Sequence, residues 1–282
     1  MNKDSKILIV GLGLIGGSYA LGLSKSGFHV ESITLDQKSI DYAIEHKMIK
    51  NGTTVVKKEY VNQFDIVIFA LYPNVFLNWI KEYKSYLKPN CLITDVTGIK
   101  GVIVDAIQQE LINGVEFVPA HPMAGKEVYG VENADERIFT GANLIITPTK
   151  INTEEKIIEI EEIGKILKFK NIVRLTPSEH DEIIGFLSQL THCIAIALMT
   201  CRDNSNLIKY TGDSFRDLTR IAKINENMWS ELFLSNKQQL LNQMEIFIGQ
   251  FNILKDAIES NNQDLIKKIM IESTKRRIDF DK

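Results

Sequence analysis

The sequence is poor in the features that mark secreted, membrane and nucleic-acid-binding proteins. Its three cysteines, Cys91, Cys193 and Cys201, form no CxxC pair, and so few thiols in so long a chain argue against a disulfide framework. The 33 basic residues nearly balance the 36 acidic ones, so the charge gives no reason to expect nucleic acid or an anionic membrane as partner. Beyond the N-terminal region, no uninterrupted apolar run reaches about 18 residues. We expect a cytoplasmic protein without a membrane span, and no metal site is predicted.

Short apolar runs alternate with helical patterns over the first part of the chain. Strands are predicted at residues 7–10, 30–35, 66–71, 92–94, 116–119, 144–147 and 171–175. Helices are predicted at residues 14–26, 39–46, 76–87 and 154–167. Continuous apolar strands that alternate with helices indicate a parallel sheet covered on both faces, that is, a doubly wound α/β fold.

The strand signals disappear after Thr176 and Pro177. Helical patterns follow at residues 178–201, 214–221, 228–258 and 263–275. We therefore predict two domains, an α/β domain over residues 1–176 and an all-α domain over residues 177–282. Long helices such as the one predicted at 228–258 often bury one face against a second subunit, which favours an oligomer.

A glycine motif directly follows the first predicted strand and opens the first helix. It fits the pattern G-x-G-x-x-G with Gly11, Leu12, Gly13, Leu14, Ile15 and Gly16. The pattern alone is weak, but a dinucleotide site requires this position between a strand and a helix. The first glycine permits a tight turn, the second lets a pyrophosphate approach the backbone, and the third lets helix and strand pack closely. We therefore predict a Rossmann-type dinucleotide site.

An acidic residue completes this motif. Asp36 stands twenty positions after Gly16, at the end of the second predicted strand. A carboxylate there accepts hydrogen bonds from the ribose hydroxyls and repels a 2′-phosphate, which favours NAD over NADP. Lys38 lies close enough in sequence to soften that preference. The alternative is an α/β domain that has a glycine turn and binds no nucleotide.

Two further segments should lie at the carboxyl edge of the sheet, where open α/β folds bind their ligands. DVTGIK (residues 95–100) follows one strand, and AHPMAGKE (residues 120–127) follows the next. His121 is of the residue type that accepts a hydroxyl proton near neutral pH, as a dehydrogenase requires. The alternatives are a simple turn capped by Thr97 and a loop histidine with only local hydrogen bonds.

The helical domain offers candidate groups for binding an anionic substrate. Ser188 and His192 are four positions apart and share a helix face. In the segment SFRDLTRI (residues 214–221), Arg216 or Arg220 presents the planar donor fork that grips a carboxylate. The alternatives are a solvent-facing histidine and surface ion pairs with nearby aspartates.

The chain resembles the prephenate dehydrogenase family, with its arogenate-using relatives, in GLGLIGGS, DVTGIK, AHPMAGKE, the Ser188–His192 pair and FRDLTRI followed by Trp229. The resemblance runs from about residue 6 to Trp229. It implies NAD-dependent oxidative decarboxylation of prephenate to 4-hydroxyphenylpyruvate in tyrosine biosynthesis. The alternatives are an arogenate dehydrogenase, another two-domain dehydrogenase with a helical second half, and a dinucleotide-sensing protein that keeps the fold without the chemistry.

The resemblance also implies roles for single residues. His121 looks like the family's catalytic histidine, and His192 and Arg220 look like the pair that holds the pyruvyl side chain and a carboxylate. Glu127 matches a position at the active-site entrance. Trp229 matches one that reaches toward the neighbouring subunit, which implies a homodimer built through the helical domain.

The sequence departs from the family pattern at Gly98, where many members have a serine that hydrogen-bonds the catalytic histidine. At this point of the chain only the adjacent Thr97 offers a hydroxyl. We therefore expect Thr97 or a water to orient His121, unless other neighbours of the histidine do so.

Overall fold

A computed structural model describes residues 2–126, 128–203 and 206–280 of the chain. The chain forms two compact units, which divide between Asn236 and Lys237. The first unit contains the sheets and the helices up to residue 235. This division lies further along the chain than the domain boundary that the sequence analysis predicted at residue 177. The predicted domain boundary stays a prediction.

A parallel sheet of six strands forms the centre of the first unit. Its strands are β1 (Lys6–Val10), β2 (His29–Ile33), β3 (Asn51–Thr53), β4 (Ile66–Phe69), β5 (Leu92–Asp95) and β6 (Glu116–Phe117). They are hydrogen-bonded in the order β3-β2-β1-β4-β5-β6, which is the strand order of a Rossmann fold. The predicted doubly wound fold is confirmed.

Helices cover both faces of this sheet. They are α1 (Leu14–Lys25), α2 (Gln37–Glu45), α3 (Lys58–Val61), α4 (Pro73–Tyr83), α5 (Gly101–Glu110) and α6 (Glu154–Ile166). Alternate residues of β1 enter two different cores, with Ile7 and Ile9 in one and Leu8 and Val10 in the other. The continuous apolar sequence of β1 follows from this burial on both faces.

A second sheet corrects part of the predicted topology. It consists of β7 (Ala120–Pro122), β8 (Asn143–Ile146) and β9 (Asn171–Arg174), in the order β7-β8-β9. Strands β7 and β8 are antiparallel, whereas the sequence analysis placed the strand at residues 144–147 in the parallel sheet and predicted no strand at residues 120–122. Pro119 separates β6 from β7, because proline has no N–H group for the sheet ladder. His121 therefore lies in a strand, whereas the sequence analysis placed it after the end of one.

The rest of the first unit is helical. It contains α7 (Pro177–Ile184), the π-helical segment Gly185–Leu190, α8 (Thr191–Thr200), α9 (Asp213–Thr219) and α10 (Glu226–Ser235). The continuous helix Pro177–Thr200 is long and apolar enough to cross a membrane by length and composition, which the sequence analysis did not expect. Within the structure 28% of its apolar window is buried, and His180 and Asp181 of this helix are buried and hydrogen-bonded inside the first unit.

The second unit consists, over its described residues, of α11 (Lys237–Glu259) and α12 (Gln263–Phe280). The single helix predicted at residues 228–258 is therefore two helices, α10 and α11, which are separated at Asn236. The amide of Asn236 donates to the carbonyl oxygen of Asp181 and to Gln189 Oε1, both at 2.8 Å. These hydrogen bonds hold the side chain of Asn236 in the first unit.

Candidate active site

The glycine loop after β1 has the geometry of a dinucleotide site. Gly11 has a φ of +99°, and a Cβ there would lie 2.5 Å from the carbonyl oxygen of Ala70. A Cβ at Gly16 would lie 1.9 Å from the carbonyl oxygen of Gly11, so α1 packs too closely for a side chain. A Cβ at Gly13 would meet nothing within 4 Å, which leaves open space at the N-terminus of α1. The apolar motif residues around this turn are buried or half-buried: Leu12, Leu14 and Ile15. The loop therefore fits a pyrophosphate.

Asp36 directly precedes α2 and caps its N-terminus. Its exposed carboxylate accepts hydrogen bonds from the Ser39 hydroxyl at 2.7 Å and from the backbone N–H groups of Ser39 and Lys38 at 3.1 and 3.2 Å. The hydroxyl of Ser39, followed by these backbone groups, lowers the pKa of Asp36. The carboxylate is therefore anionic at neutral pH, and it retains lone pairs for ribose hydroxyls.

His121 begins a chain of hydrogen-bonded side chains that leads into α7. Its Nδ1 lies 2.9 Å from His180 Nε2, and His180 Nδ1 lies 2.7 Å from Asp181 Oδ1. The carboxylate of Asp181 also accepts the backbone N–H groups of Lys100 and Gly101, at 2.8 and 2.7 Å, where α5 begins. The structure thus joins β7, α7 and α5 around the histidine of the AHPMAGKE segment.

A buried ion pair lies next to this chain. The side chains of Lys100 and Asp95 are both fully buried, and Lys100 Nζ lies 2.6 Å from Asp95 Oδ2. Lys100 Nζ also donates to the carbonyl oxygen of Ala120 at 2.7 Å, while Asp95 Oδ1 accepts the N–H of Ala120 at 3.1 Å. The ion pair therefore hydrogen-bonds both the N–H and the carbonyl oxygen of Ala120, the residue that precedes His121.

These surroundings make His121 a neutral imidazole. Burial, followed by the nearby His180 and the positive charge of Lys100, lowers the pKa of His121 well below 6.5. Burial also lowers the pKa of His180, although Asp181 opposes this effect. A histidine that is neutral near pH 7 is in the form that accepts a proton.

The predicted substrate-binding residues lie on helices that pack near one another. The ring of His192 stacks on that of Trp229 with a centroid distance of 3.7 Å, and His192 Nδ1 lies 2.9 Å from the carbonyl oxygen of Ser188. Ser188 thus contacts His192 through its backbone. Arg220 is exposed at the start of a short 3-10 helix that packs against α8, the helix of His192. Leu232, one turn after Trp229 on α10, extends toward Gly98.

Family models match most of the chain. The model for the prephenate dehydrogenase nucleotide-binding domain matches residues 19–182, and the model for the prephenate dehydrogenase dimerization domain matches residues 176–272. The chain belongs to the prephenate dehydrogenase family. It is therefore a dehydrogenase. Residues 176–272 match a type of domain that is named for dimerization.

Individual relatives agree with this assignment. The chain is 33% identical to prephenate dehydrogenase from Lactococcus lactis, over 96% of this chain and 76% of that protein. It is 27% identical to cyclohexadienyl dehydrogenase from Zymomonas mobilis, over 99% of this chain and 97% of that protein. A crystal structure of prephenate dehydrogenase from Aquifex aeolicus, in complex with hydroxyphenyl propionate and NAD+, superposes with a TM-score of 0.90 at 29% identity, covering 99% of both chains.

Thr97 does not take the place of the serine that many members of the prephenate dehydrogenase family have at the position of Gly98. Its hydroxyl lies within hydrogen-bonding distance of Asp95 Oδ2 and of the carbonyl oxygen of Ile99, and its backbone N–H donates to the same Asp95 oxygen. The Asp95 carboxylate thereby holds the side chain of Thr97 inward, and His180 occupies the Nδ1 side of His121. Of the three alternatives that the sequence left open, this contact agrees with orientation of His121 by another neighbour.

Gly98 itself borders the other edge of the imidazole. A Cβ at this position would lie 3.7 Å from both Cε1 and Nε2 of His121, and 3.8 Å from Leu232 Cδ2. These are ordinary van der Waals distances, so the site has room for a small side chain.

Among the other predicted residues, Glu127 lies outside the described residues. The reach of Trp229 toward a neighbouring subunit stays a prediction.

The sequence analysis missed His180 and Asp181 entirely and gave no role to Asp95 or Lys100. The available signal was two adjacent polar residues that share a helix face with the apolar Ile184. That spacing indicates a buried face, but it does not identify what the two polar side chains contact.

Proposed function

We propose that this chain is an NAD-dependent prephenate dehydrogenase that makes 4-hydroxyphenylpyruvate for tyrosine biosynthesis in the cytoplasm. The observation that carries the proposal is a neutral histidine, His121, which β7 places beside the carboxyl end of β5, in the sheet whose glycine loop fits a dinucleotide. The relative from Aquifex aeolicus, which shares the fold over nearly its whole length, binds both NAD+ and a hydroxyphenyl acid.

In this mechanism His121 is the general base. NAD, when bound, supplies the acceptor for the hydride that leaves the ring carbon bearing the hydroxyl group. His121 Nε2 accepts the proton of that hydroxyl in the same step, because Nδ1 is engaged by His180. Loss of CO2 then makes the ring aromatic. The chain contributes mainly positioning and electrostatics, since the cofactor and the substrate carry the bond changes.

We assign binding of the substrate's acidic side to the helical segment. The guanidinium of Arg220 provides a bidentate donor set for a carboxylate. The Nδ1 of His192 donates to the Ser188 carbonyl oxygen, and the ring lies flat on Trp229, so the imidazole has a fixed orientation beside the pyruvyl side chain. Ser188 and Trp229 therefore support the substrate site by holding His192.

We further propose that the protein is a homodimer. The second unit exposes a set of large apolar side chains that a monomer would leave in water: Ile246, Phe251, Met270 and Ile271. Apolar surface of this kind is typical of an interface between subunits. The dimerization-domain model covers these residues up to 272.

An assay with purified protein tests the proposed function. With prephenate and NAD we expect NADH, CO2 and 4-hydroxyphenylpyruvate in equal amounts, and a slower reaction with arogenate. NADP should support a rate at least about tenfold lower, because the anionic Asp36 repels a 2′-phosphate. Faster turnover of arogenate would overturn the substrate assignment, and NAD binding without reduction by either acid would indicate a dinucleotide sensor.

Substitution of Gly98 tests where the substrate meets His121. We expect Gly98→Ser to fold with a stability within about 1 kcal/mol of the parent protein, because its Cβ has room. Gly98→Val should lower kcat/KM about a hundredfold, since its methyl groups would cover Nε2 of His121. Steady-state kinetics and thermal unfolding of the two variants measure both effects. Equal kcat/KM for valine and glycine would contradict this position for the substrate hydroxyl.

A further inference from the structure

The hydrogen-bonded chain from His121 to Asp181 determines which imidazole nitrogen carries the proton. His180 Nδ1 faces Asp181 Oδ1 at 2.7 Å, and an ionised carboxylate only accepts hydrogen bonds, so His180 Nδ1 carries a hydrogen. A neutral imidazole has one donor and one acceptor nitrogen, so His180 Nε2 is the acceptor. His121 Nδ1, 2.9 Å away, must then donate to it. The remaining nitrogen of His121, Nε2, is left without a proton.

We propose that His180 and Asp181 are positioning residues that hold His121 in the tautomer with a hydrogen on Nδ1 and a bare Nε2. The inference rests on the proposed function, in which His121 is the base. A base in the other tautomer would present an N–H to the substrate hydroxyl and accept no proton from it. His180 thus keeps His121 ready for the reaction without touching the substrate.

The charges around His180 favour this arrangement. The groups that face the two imidazoles are Asp181 on α7, Lys100 at the start of α5 and Asp95 at the end of β5. The charge of Lys100 disfavours a second proton on either ring, and burial acts in the same direction. Both imidazoles therefore stay neutral. Only a neutral imidazole has one donor and one acceptor nitrogen, as the assignment of the tautomer requires.

The far end of the chain is fixed to the backbone. Besides His180, the Asp181 carboxylate accepts the N–H groups of Lys100 and Gly101, which lack partners within α5. The carbonyl oxygen of Asp181 accepts from the amide of Asn236. Because Asp181 is held at both its side chain and its backbone, it cannot turn away from His180 without breaking several buried hydrogen bonds.

Nitrogen-15 NMR of the unliganded protein tests the tautomer directly. The chain has five histidines, so selective labelling of histidine gives few signals, and loss of a signal in His121→Asn assigns that residue. We expect couplings from the ring carbon hydrogens that mark Nδ1 of His121 as protonated and Nε2 as bare. A proton on Nε2 in the parent protein would overturn the proposal. This readout needs no substrate, so it does not depend on the reaction that the protein catalyses.

Two substitutions of His180 test the consequence for turnover. His180→Phe removes the acceptor for His121 Nδ1, and we expect kcat to fall about a hundredfold with KM changed less than about threefold. His180→Gln places an amide oxygen within reach of Nδ1, and it should restore kcat to within about tenfold of the parent. The matched control is His29→Phe, which removes a histidine paired with Glu31 at 2.7 Å on β2 and should leave kcat unchanged.

The outcomes separate this inference from the proposed function. If His180→Phe keeps both the parent kcat and the parent tautomer of His121, the positioning role is excluded while the dehydrogenase activity stands. If the parent protein oxidises neither prephenate nor arogenate, the proposed function fails and the tautomer measurement still decides the inference. If His180→Phe does not fold, the His180→Gln variant and the NMR of the parent protein decide it.

Discussion

Replacing His121 with asparagine should lower kcat with prephenate and NAD by at least about a hundredfold. Asparagine has a similar size and retains a hydrogen-bonding amide, but it accepts no proton at neutral pH. The affinity for NAD should stay within about threefold of the parent value, because the glycine loop follows β1 and His121 lies on β7 of the other sheet. Initial-rate kinetics and a fluorescence titration with NAD measure the two quantities.

The pH dependence of the parent protein provides the control for this variant. Burial, His180 and Lys100 lower the pKa of His121 well below 6.5, and the neutral form is the active base. The kcat/KM of the parent should therefore remain level as the pH falls to 6.5 and decline only at lower pH. This decline should be absent in His121→Asn. Parent-like turnover in the variant would remove His121 from the mechanism.

The sequence was sufficient for features that depend on neighbouring residues in the chain. The glycine motif is an example, since Gly11 and Gly16 are needed for contacts within one strand–turn–helix unit. Asp36 caps the helix that begins at the next residue, whereas the sequence analysis predicted for it a ribose contact, which stays a prediction. The requirement on the glycines spans a few residues, so their spacing alone predicts the geometry of the turn.

Features that depend on contacts between distant residues could not be predicted from the spacing of residues in the sequence. Strand β3 has no apolar run, because the strand at Asn51–Thr53 lies at the sheet edge and pairs only with β2. The pairing of β7 with β8 needs an antiparallel partner more than twenty residues away. His180 contacts His121 across 59 positions, and Asp181 contacts Lys100 across 81. No periodicity in the sequence records such contacts.

His180 and Asp181 directly follow a helix start that has the features of a surface helix end. Thr176 and Glu179 form a capping box, with the Thr176 hydroxyl and the Glu179 carboxylate each accepting from the other residue's backbone N–H. A polar first turn of this kind is typical of an exposed helix end. Here the turn is exposed on one side, while the other side carries the two residues that reach the active site.

Replacing Lys100 with methionine should destabilise the protein by about 3–5 kcal/mol. Methionine fills a similar volume, but it removes the cation from Asp95, whose carboxylate is wholly buried, and the donor from the carbonyl oxygen of Ala120. A buried carboxylate left without its counter-charge is strongly unfavourable, whereas loss of an exposed ion pair costs about 0–1 kcal/mol. Urea unfolding followed by circular dichroism should show a lower midpoint with an unchanged slope.

A second substitution distinguishes loss of the charge pair from loss of packing. Adding Asp95→Asn to Lys100→Met removes the uncompensated charge and keeps an acceptor oxygen near Ala120 and Thr97, so we expect it to recover at least about 1 kcal/mol. The matched surface control is Lys255→Met, whose partner Glu259 lies 3.8 Å away on the exposed face of α11, and it should change stability by less than about 1 kcal/mol. If the double variant is no more stable than Lys100→Met, the destabilisation comes from packing around the lysine chain, and Asp95 and Lys100 do not act as a pair.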